Sequence, residues 1–368
     1  MSLPDGPRIA YIAGFVSDDL SRPAVEAVDR ARMLSDILDQ PAQLADALQR
    51  AETAAIPTVH AAGGLAVCAM GGSAIGGDLA AAAIGSRARR PIRVIRQYAP
   101  EPWADADTLY VCASYSGDTE ETLSCFEAVG RLGAPRVAIT TGGRLATAAR
   151  AEGVPVIFLP SGFQPRAAVV YTTVAVLECA AACGVAPSMR EEVEAAASLL
   201  GGLAAEWAPE SSAGSKAKSL ARRLHGRVPV VYGAEATAPV ALRWKNQLNE
   251  NAKVPAFSAE LPEADHNELC GYERAHAFAA LHPVLLEEPS QRAQIRRRIG
   301  LTAEMAGDMG AAGVDRVSAR GETLFERVMS LVLLGDLVSM YLAVLEEVDP
   351  TPVEALVLLK YRMRPTAP

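Results

Sequence analysis

The chain has 368 residues, with 35 lysines and arginines against 43 aspartates and glutamates, for a formal net charge of −8. Half of the residues are apolar but only 5% are aromatic; at roughly 150 residues per domain the length suits two domains with cores built mainly from Ala, Val and Leu. A chain this acidic argues against a polyanion-binding face unless basic residues cluster strongly, so nucleic acid is a poor candidate partner.

The chain opens with acidic Asp5 and a broken apolar run over 9–16, not with a basic patch and a secretory core. An N-terminal helical preface, 1–59, is read from the charged, alanine-rich stretch 24–55. Residues 60–206 read as a first domain. Buried-strand runs at 65–70, 92–95, 108–113, 136–140 and 156–159 alternate there with helical or glycine-rich stretches, the order of a parallel sheet covered on both faces. The apolar stretch 167–186 is long enough to span a membrane, yet its alanines and the internal Glu178 predict a helix wedged between sheets, so no membrane association is expected. Pro, Gly and Ser clustered over 207–216 mark a linker.

A second domain, 217–349, predicts a helix near 216–224, a strand at 228–232, a helix over 239–251, strands at 256–259, 277–281 and 315–318, and a long helix over 324–345. Segment 350–368 closes the chain with an amphipathic helix, Thr351 as its N-cap and Pro352 in its first turn. The predicted fold class is α/β: two three-layer sandwiches, each with a mainly parallel sheet flanked by helices. Cysteines at 68, 112, 125, 179, 183 and 270 form no Cys-x-x-Cys unit and no Cys–His cluster at zinc spacing, which predicts reduced cytoplasmic thiols and no metal site.

Two segments carry most of the chemistry. Ala69-Met-Gly-Gly-Ser73-Ala-Ile-Gly-Gly-Asp78 and Ser114-Tyr-Ser-Gly-Asp-Thr-Glu-Glu-Thr122 each follow a short apolar run and lead into a helix-compatible stretch. Two such strand-to-helix turns present backbone N–H groups and hydroxyls at one place, which is how a protein holds a phosphate without a metal. Ser114, Ser116 and Thr119 supply three hydroxyls, Gly117 permits close backbone approach, and Asp118 is placed to cap the following helix with Glu121 three residues on. No Gly-Lys-Ser/Thr follows the first loop and no acid stands at dinucleotide spacing, so no nucleotide cofactor is expected.

Both loops resemble the phosphosugar-binding loops of the sugar isomerase (SIS) fold. With Lys245-Asn-Gln-Leu-Asn-Glu250-Asn-Ala-Lys253, Leu261-Pro-Glu-Ala-Asp-His266-Asn-Glu268 and Lys360, the chain from about residue 60 onward is similar to the bifunctional phosphoglucose/phosphomannose isomerases. The resemblance implies that Ser114, Ser116 and Thr119 hold a sugar phosphate, that Gly71, Gly72 and Ser73 lie against the sugar, and that Arg166 steadies an enediolate. It makes Glu250 the proton-shuttling base and His266 the ring-opening group, reaching the site from the neighbouring subunit of a homodimer. Lys360 then assists ring opening, and Thr351 leaves room for the mannose epimer. By residue type alone, Glu250 is an ordinary surface glutamate and His266 an ordinary loop histidine; their roles come from the resemblance.

Two positions depart from the family: Gln247 stands where many relatives carry glutamate, and Asp265 where some carry histidine. The implied reaction converts glucose 6-phosphate, and mannose 6-phosphate, to fructose 6-phosphate through a cis-enediolate. A phosphosugar-sensing SIS protein without catalysis, or an isomerase for another sugar phosphate, stays open beside it.

Overall fold

The first sheet holds β1 (Gly64–Ala69), β2 (Ile92–Ile95), β3 (Thr108–Ala113), β4 (Arg136–Thr140) and β5 (Val156–Phe158) in the order β2-β1-β3-β4-β5, with every pairing parallel. These strands come from a computed structural model that describes residues 18–363; the outer parts of the predicted preface and C-terminal segment, 1–17 and 364–368, lie outside the described residues. β1 and β3 are buried at every position, and their side chains alternate between two cores. Leu65, Val67 and Ala69 face a central core, whereas Ala66 and Cys68 meet Tyr110, Phe126 and Leu145 on the other side. Burial on both faces is why these strands read as continuous apolar runs.

The helices of this half are α1 (Arg22–Val28), α2 (Met33–Leu38), α3 (Gln40–Thr53), α4 (Gly71–Ile84), α5 (Glu120–Arg131), α6 (Gly143–Ala151), α7 (Val169–Ala182) and α8 (Arg190–Trp207). The helical stretch predicted over 24–55 is divided into three: Arg32, left-handed with φ of 63°, separates α1 from α2, and a second break at Asp39 separates α2 from α3. The carboxylate of Asp29 then accepts the N–H groups of Met33 and Leu34, each at 2.8 Å, and starts α2.

The second half contains α9 (Lys216–Leu224), β6 (Val228–Gly233), α10 (Ala238–Asn251), β7 (Phe257–Glu260), β8 (Leu281–Glu287), α11 (Ala293–Asp308), β9 (Asp315–Ser318), α12 (Leu324–Leu345) and α13 (Glu354–Arg362). Its sheet is also parallel, in the order β7-β6-β8-β9. The strand predicted at 277–281 is displaced: 268–277 winds in 3-10 turns and β8 begins at Leu281. Pro283 inside that run argues against a central strand locally, yet β8 pairs on both sides and tolerates one missing N–H.

The inner faces of both sheets close on one core containing α3, α4, α7, α8, α10 and α12. Two stretches, Pro165–Ala182 and Leu324–Leu345, are long and apolar enough to cross a membrane, and here they are enclosed by the protein. α12 starts from a capping box in which Thr323 Oγ1 accepts Glu326 N–H and Glu326 Oε2 accepts Thr323 N–H.

Candidate active site

β1 and β3 are neighbours with Ala69 opposite Ala113, so the two glycine- and hydroxyl-rich loops leave the carboxyl edge of the sheet side by side. This is the switch point where ligand crevices open in such sheets. In the first loop a Cβ on Gly72 would stand 3.1 Å from both Pro165 O and Arg166 Cα, so its lack of a side chain lets α4 lie against the turn that carries Arg166. Gly71 has open space around it, and Ser73 is buried.

In the second loop the buried Ser114 hydroxyl accepts the N–H of Gly117 at 3.1 Å and of Thr119 at 3.4 Å, and shares a 2.7 Å hydrogen bond with Thr119 Oγ1. Ser114 therefore shapes the loop, while Ser116 is exposed and accepts Asp118 N–H. Gly117 has a φ of 74°, and a Cβ there would fall 1.9 Å from Gly142 O, so only glycine lets 140–145 clasp the loop. The predicted cap is corrected: Thr119 is the N-cap of α5, and the Asp118 carboxylate instead accepts the backbone N–H and Nε of Arg144. Tyr115 ties this loop to the next, its hydroxyl donating to Pro160 O and accepting Phe163 N–H, both at 2.9 Å.

The 160–163 segment leads into a 3-10 turn, Pro165–Ala168, that carries Arg166, which is 4% exposed. Its Nε donates to Asn251 Oδ1 at 2.7 Å, and its Nη2 to Pro350 O at 2.7 Å and Thr351 O at 3.1 Å. Nη1 faces Glu250 Oε2 at 3.6 Å. Burial lowers the guanidinium pKa from its ordinary value, and the Glu250 charge opposes that shift. Glu250 is the penultimate residue of α10, one-third exposed (32%) on a pocket of about 570 Å³ shared with Asn249, Lys253, Asp349 and Leu356. Gln247, one turn earlier, is enclosed in the core with no partner for its Nε2 among the described residues.

Lys253 donates to the carbonyls of Glu250, Pro350 and Pro352. Together with Arg166 it holds the carbonyls of 350–352 ahead of the helix, which corrects the predicted cap: α13 begins only at Glu354, Val353 is its N-cap, and the Thr351 hydroxyl has no partner among the described residues. Arg166, Glu250 and Thr351 thus converge within one chain. His266 and Lys360 do not join them. His266 is exposed at the end of a 3-10 turn, in a separate pocket with Glu260, Asn267 and Glu268. Lys360 is exposed on α13, a helix without a buried residue. Asp265 turns inward, accepting from Arg298 at 3.0 Å and Thr302 Oγ1 at 2.7 Å.

Behind Arg166 runs a polar chain that sequence reasoning missed. Arg243 Nη2 donates to Arg166 O at 3.1 Å and to Asp336 Oδ2 at 2.7 Å, and Gln40 Nε2 donates to the same Asp336 oxygen. A lone aspartate and two serines within the long apolar run of α12 after its first turn were the available signal, because buried charges need partners. Among the described residues no group of three or more His, Cys, Asp or Glu side chains is placed to hold a metal.

Residues 213–363 match the family described as the bacterial phospho-glucose isomerase C-terminal SIS domain. Over 300 residues the chain is 35% identical to the bifunctional phosphoglucose/phosphomannose isomerase of Caldicellulosiruptor bescii, covering 81% of this chain and 88% of that protein. The chain belongs to the bifunctional phosphoglucose/phosphomannose isomerase family. This SIS-domain chain is also 33% identical over 217 residues to the D-glucosamine-6-phosphate 4-epimerase of Sulfolobus acidocaldarius, which covers 58% of this chain and 65% of that protein. In fold it is similar to a hypothetical protein of Thermus thermophilus, with a TM-score of 0.69 at 18% identity over 93% of this chain and 95% of that one. Family membership and the paired parallel sheets place it among SIS-type phosphosugar proteins.

Proposed function

We propose that this protein interconverts glucose 6-phosphate, and mannose 6-phosphate, with fructose 6-phosphate in the cytoplasm. The observation that carries the reading is a carboxylate, Glu250, that lines a pocket and stands 3.6 Å from a buried guanidinium, Arg166. Glu250 takes the C2 proton and returns it at C1, while Arg166 Nη1 steadies the negative charge on the enediolate oxygens. The phosphate is held by Ser114, Ser116, Thr119 and the amides of their loop, and the sugar lies against Gly71, Gly72 and Ser73.

Ring opening falls to His266 and Lys360, with His266 supplied by a second copy; its exposed position in a pocket of its own supports that assignment. Thr351, whose hydroxyl has no partner among the described residues, stands beside the Arg166 clamp and leaves space for either configuration at C2. These steps run on protein groups alone. In heavy water, incubation with each aldose 6-phosphate is expected to yield fructose 6-phosphate with deuterium at the transferred position, read by NMR. The likeness to a D-glucosamine-6-phosphate 4-epimerase favours a second reading, another sugar phosphate in the same site. Turnover of glucosamine 6-phosphate without turnover of either hexose phosphate establishes the second reading, and binding without turnover of any of the three overturns catalysis.

A further inference from the structure

Arg166 and Arg243 are two buried guanidiniums, 4% and 2% exposed, and their counter-charges are divided between them. Arg243 pairs with Asp336 at 2.7 Å, a buried aspartate that also accepts from Gln40. Among the described residues Glu250 is the single carboxylate paired with Arg166, and it sits at 3.6 Å, beyond hydrogen-bond distance. Every acceptor in hydrogen-bond contact with Arg166 is neutral: the Asn251 amide oxygen and the carbonyls of Pro350 and Thr351. Neutral acceptors fix a guanidinium without cancelling its charge, so the charge stays available to an anion arriving beside Glu250.

The Asn251 amide can adopt only one orientation. Arg166 Nε is a donor and so demands Oδ1. On the other side Asn251 Nδ2 donates at 2.9 Å to Ser339 Oγ, whose own proton goes to Asp336 O at 2.7 Å. Asn251 is fully buried and follows Glu250 directly on α10, so one short piece of helix sets both the base and the group that aims the guanidinium.

We propose that Asn251 is a positioning residue that aims Arg166 through a neutral acceptor, so that Glu250 is the one carboxylate paired with the guanidinium among the described residues and its charge can act on an enediolate-like anion. The proposal rests on the phosphosugar reading above. An aspartate at 251 keeps the shape and the acceptor for Arg166 Nε, but it loses the donor to Ser339 and places a carboxylate against the guanidinium. Replacing Ser339 by alanine only frees the amide and is the milder variant.

The test uses equilibrium binding, measured by calorimetry on the full chain. Arabinonate 5-phosphate presents a carboxylate where the enediolate charge develops; sorbitol 6-phosphate presents a neutral hydroxyl there. Wild-type protein is expected to prefer the carboxylate. Asn251→Asp is expected to weaken the carboxylate ligand by about ten- to a hundredfold, the range for hydrogen bonds to charged groups, and to leave the polyol phosphate within about threefold. Ser339→Ala shifts the ratio in the same direction by less, and serves alone if Asn251→Asp melts below the assay temperature. Unchanged discrimination in the variants, or loss of both ligands alike, overturns the role of Asn251 and leaves the phosphosugar reading standing. If wild-type protein binds neither ligand, that reading falls and the proposal falls with it.

Discussion

Arg166 commits Nε and Nη2 to the fold and turns Nη1 toward Glu250, the proposed base. Replacing Glu250 with glutamine keeps shape and removes proton acceptance. Turnover is expected to fall by about 10²- to 10⁴-fold with a small change in KM, and near-native turnover sets Glu250 aside as the base. Phosphate recognition is tested on Ser116 and Thr119, because the Ser114 hydroxyl already serves the loop amides. The double change Ser116→Ala with Thr119→Ala is expected to weaken inhibition by inorganic phosphate by about tenfold or more and to raise KM for every phosphosugar. An unaltered inhibition constant removes this loop from the site. That Ser116 and Thr119 stand in a loop just after a buried strand was legible in the sequence, whereas the inward use of Ser114 depended on how the loop folds back.

At the scale of elements, α2 is only six residues long and depends on its start. Both carboxylate oxygens of Asp29 take backbone N–H groups of its first turn, so Asp29→Ala is expected to cost about 1–2 kcal/mol in denaturant titration, and an unshifted midpoint contradicts this. β9 is anchored through Asp315. Burial pushes its carboxyl pKa up, but hydrogen bonds from His282 at 2.8 Å and from Arg223 outweigh that and hold it down at about 2. A depressed carboxylate contributes stability that is present above its unfolded value, about 3.9, and is lost as pH falls toward the folded value. Asp315→Asn is therefore expected to be less stable than wild type at neutral pH and to lose less on acidification between about pH 4 and pH 2, as read by thermal melts; parallel curves for the two proteins refute the linkage.

At the scale of the molecule, His266 lies apart from Glu250, and α13 exposes Leu356, Val357, Leu359 and Tyr361. A helix that exposes this many apolar side chains is ordinarily covered, which favours the proposed homodimer with His266 crossing to its partner. Mixing Glu250→Gln with His266→Ala subunits then regenerates one intact site in each mixed dimer. With random pairing, recovered isomerase activity is expected to approach roughly a quarter of the native value. No recovery in demonstrated heterodimers places both groups in the same subunit's site.

Elements whose signals are local were readable from the chain without its fold. Burial on both faces wrote β1 and β3 as unbroken apolar runs, and the wholly enclosed α12 announced itself by length and hydropathy. The same local rules misplaced whatever a distant partner controls. Thr351 had the sequence of an N-cap, but Arg166 and Lys253 take the carbonyls around it and delay the helix to Glu354. Asp118 had the spacing of a cap, but Arg144 claims its carboxylate. It took the packing of the two sheets to bring Arg166 to Asn251, 85 residues away, and to Pro350, 184 residues away. Such contacts leave no periodicity in the chain, because a hydrogen bond between distant segments is set by how sheets and helices pack and not by the residues beside it.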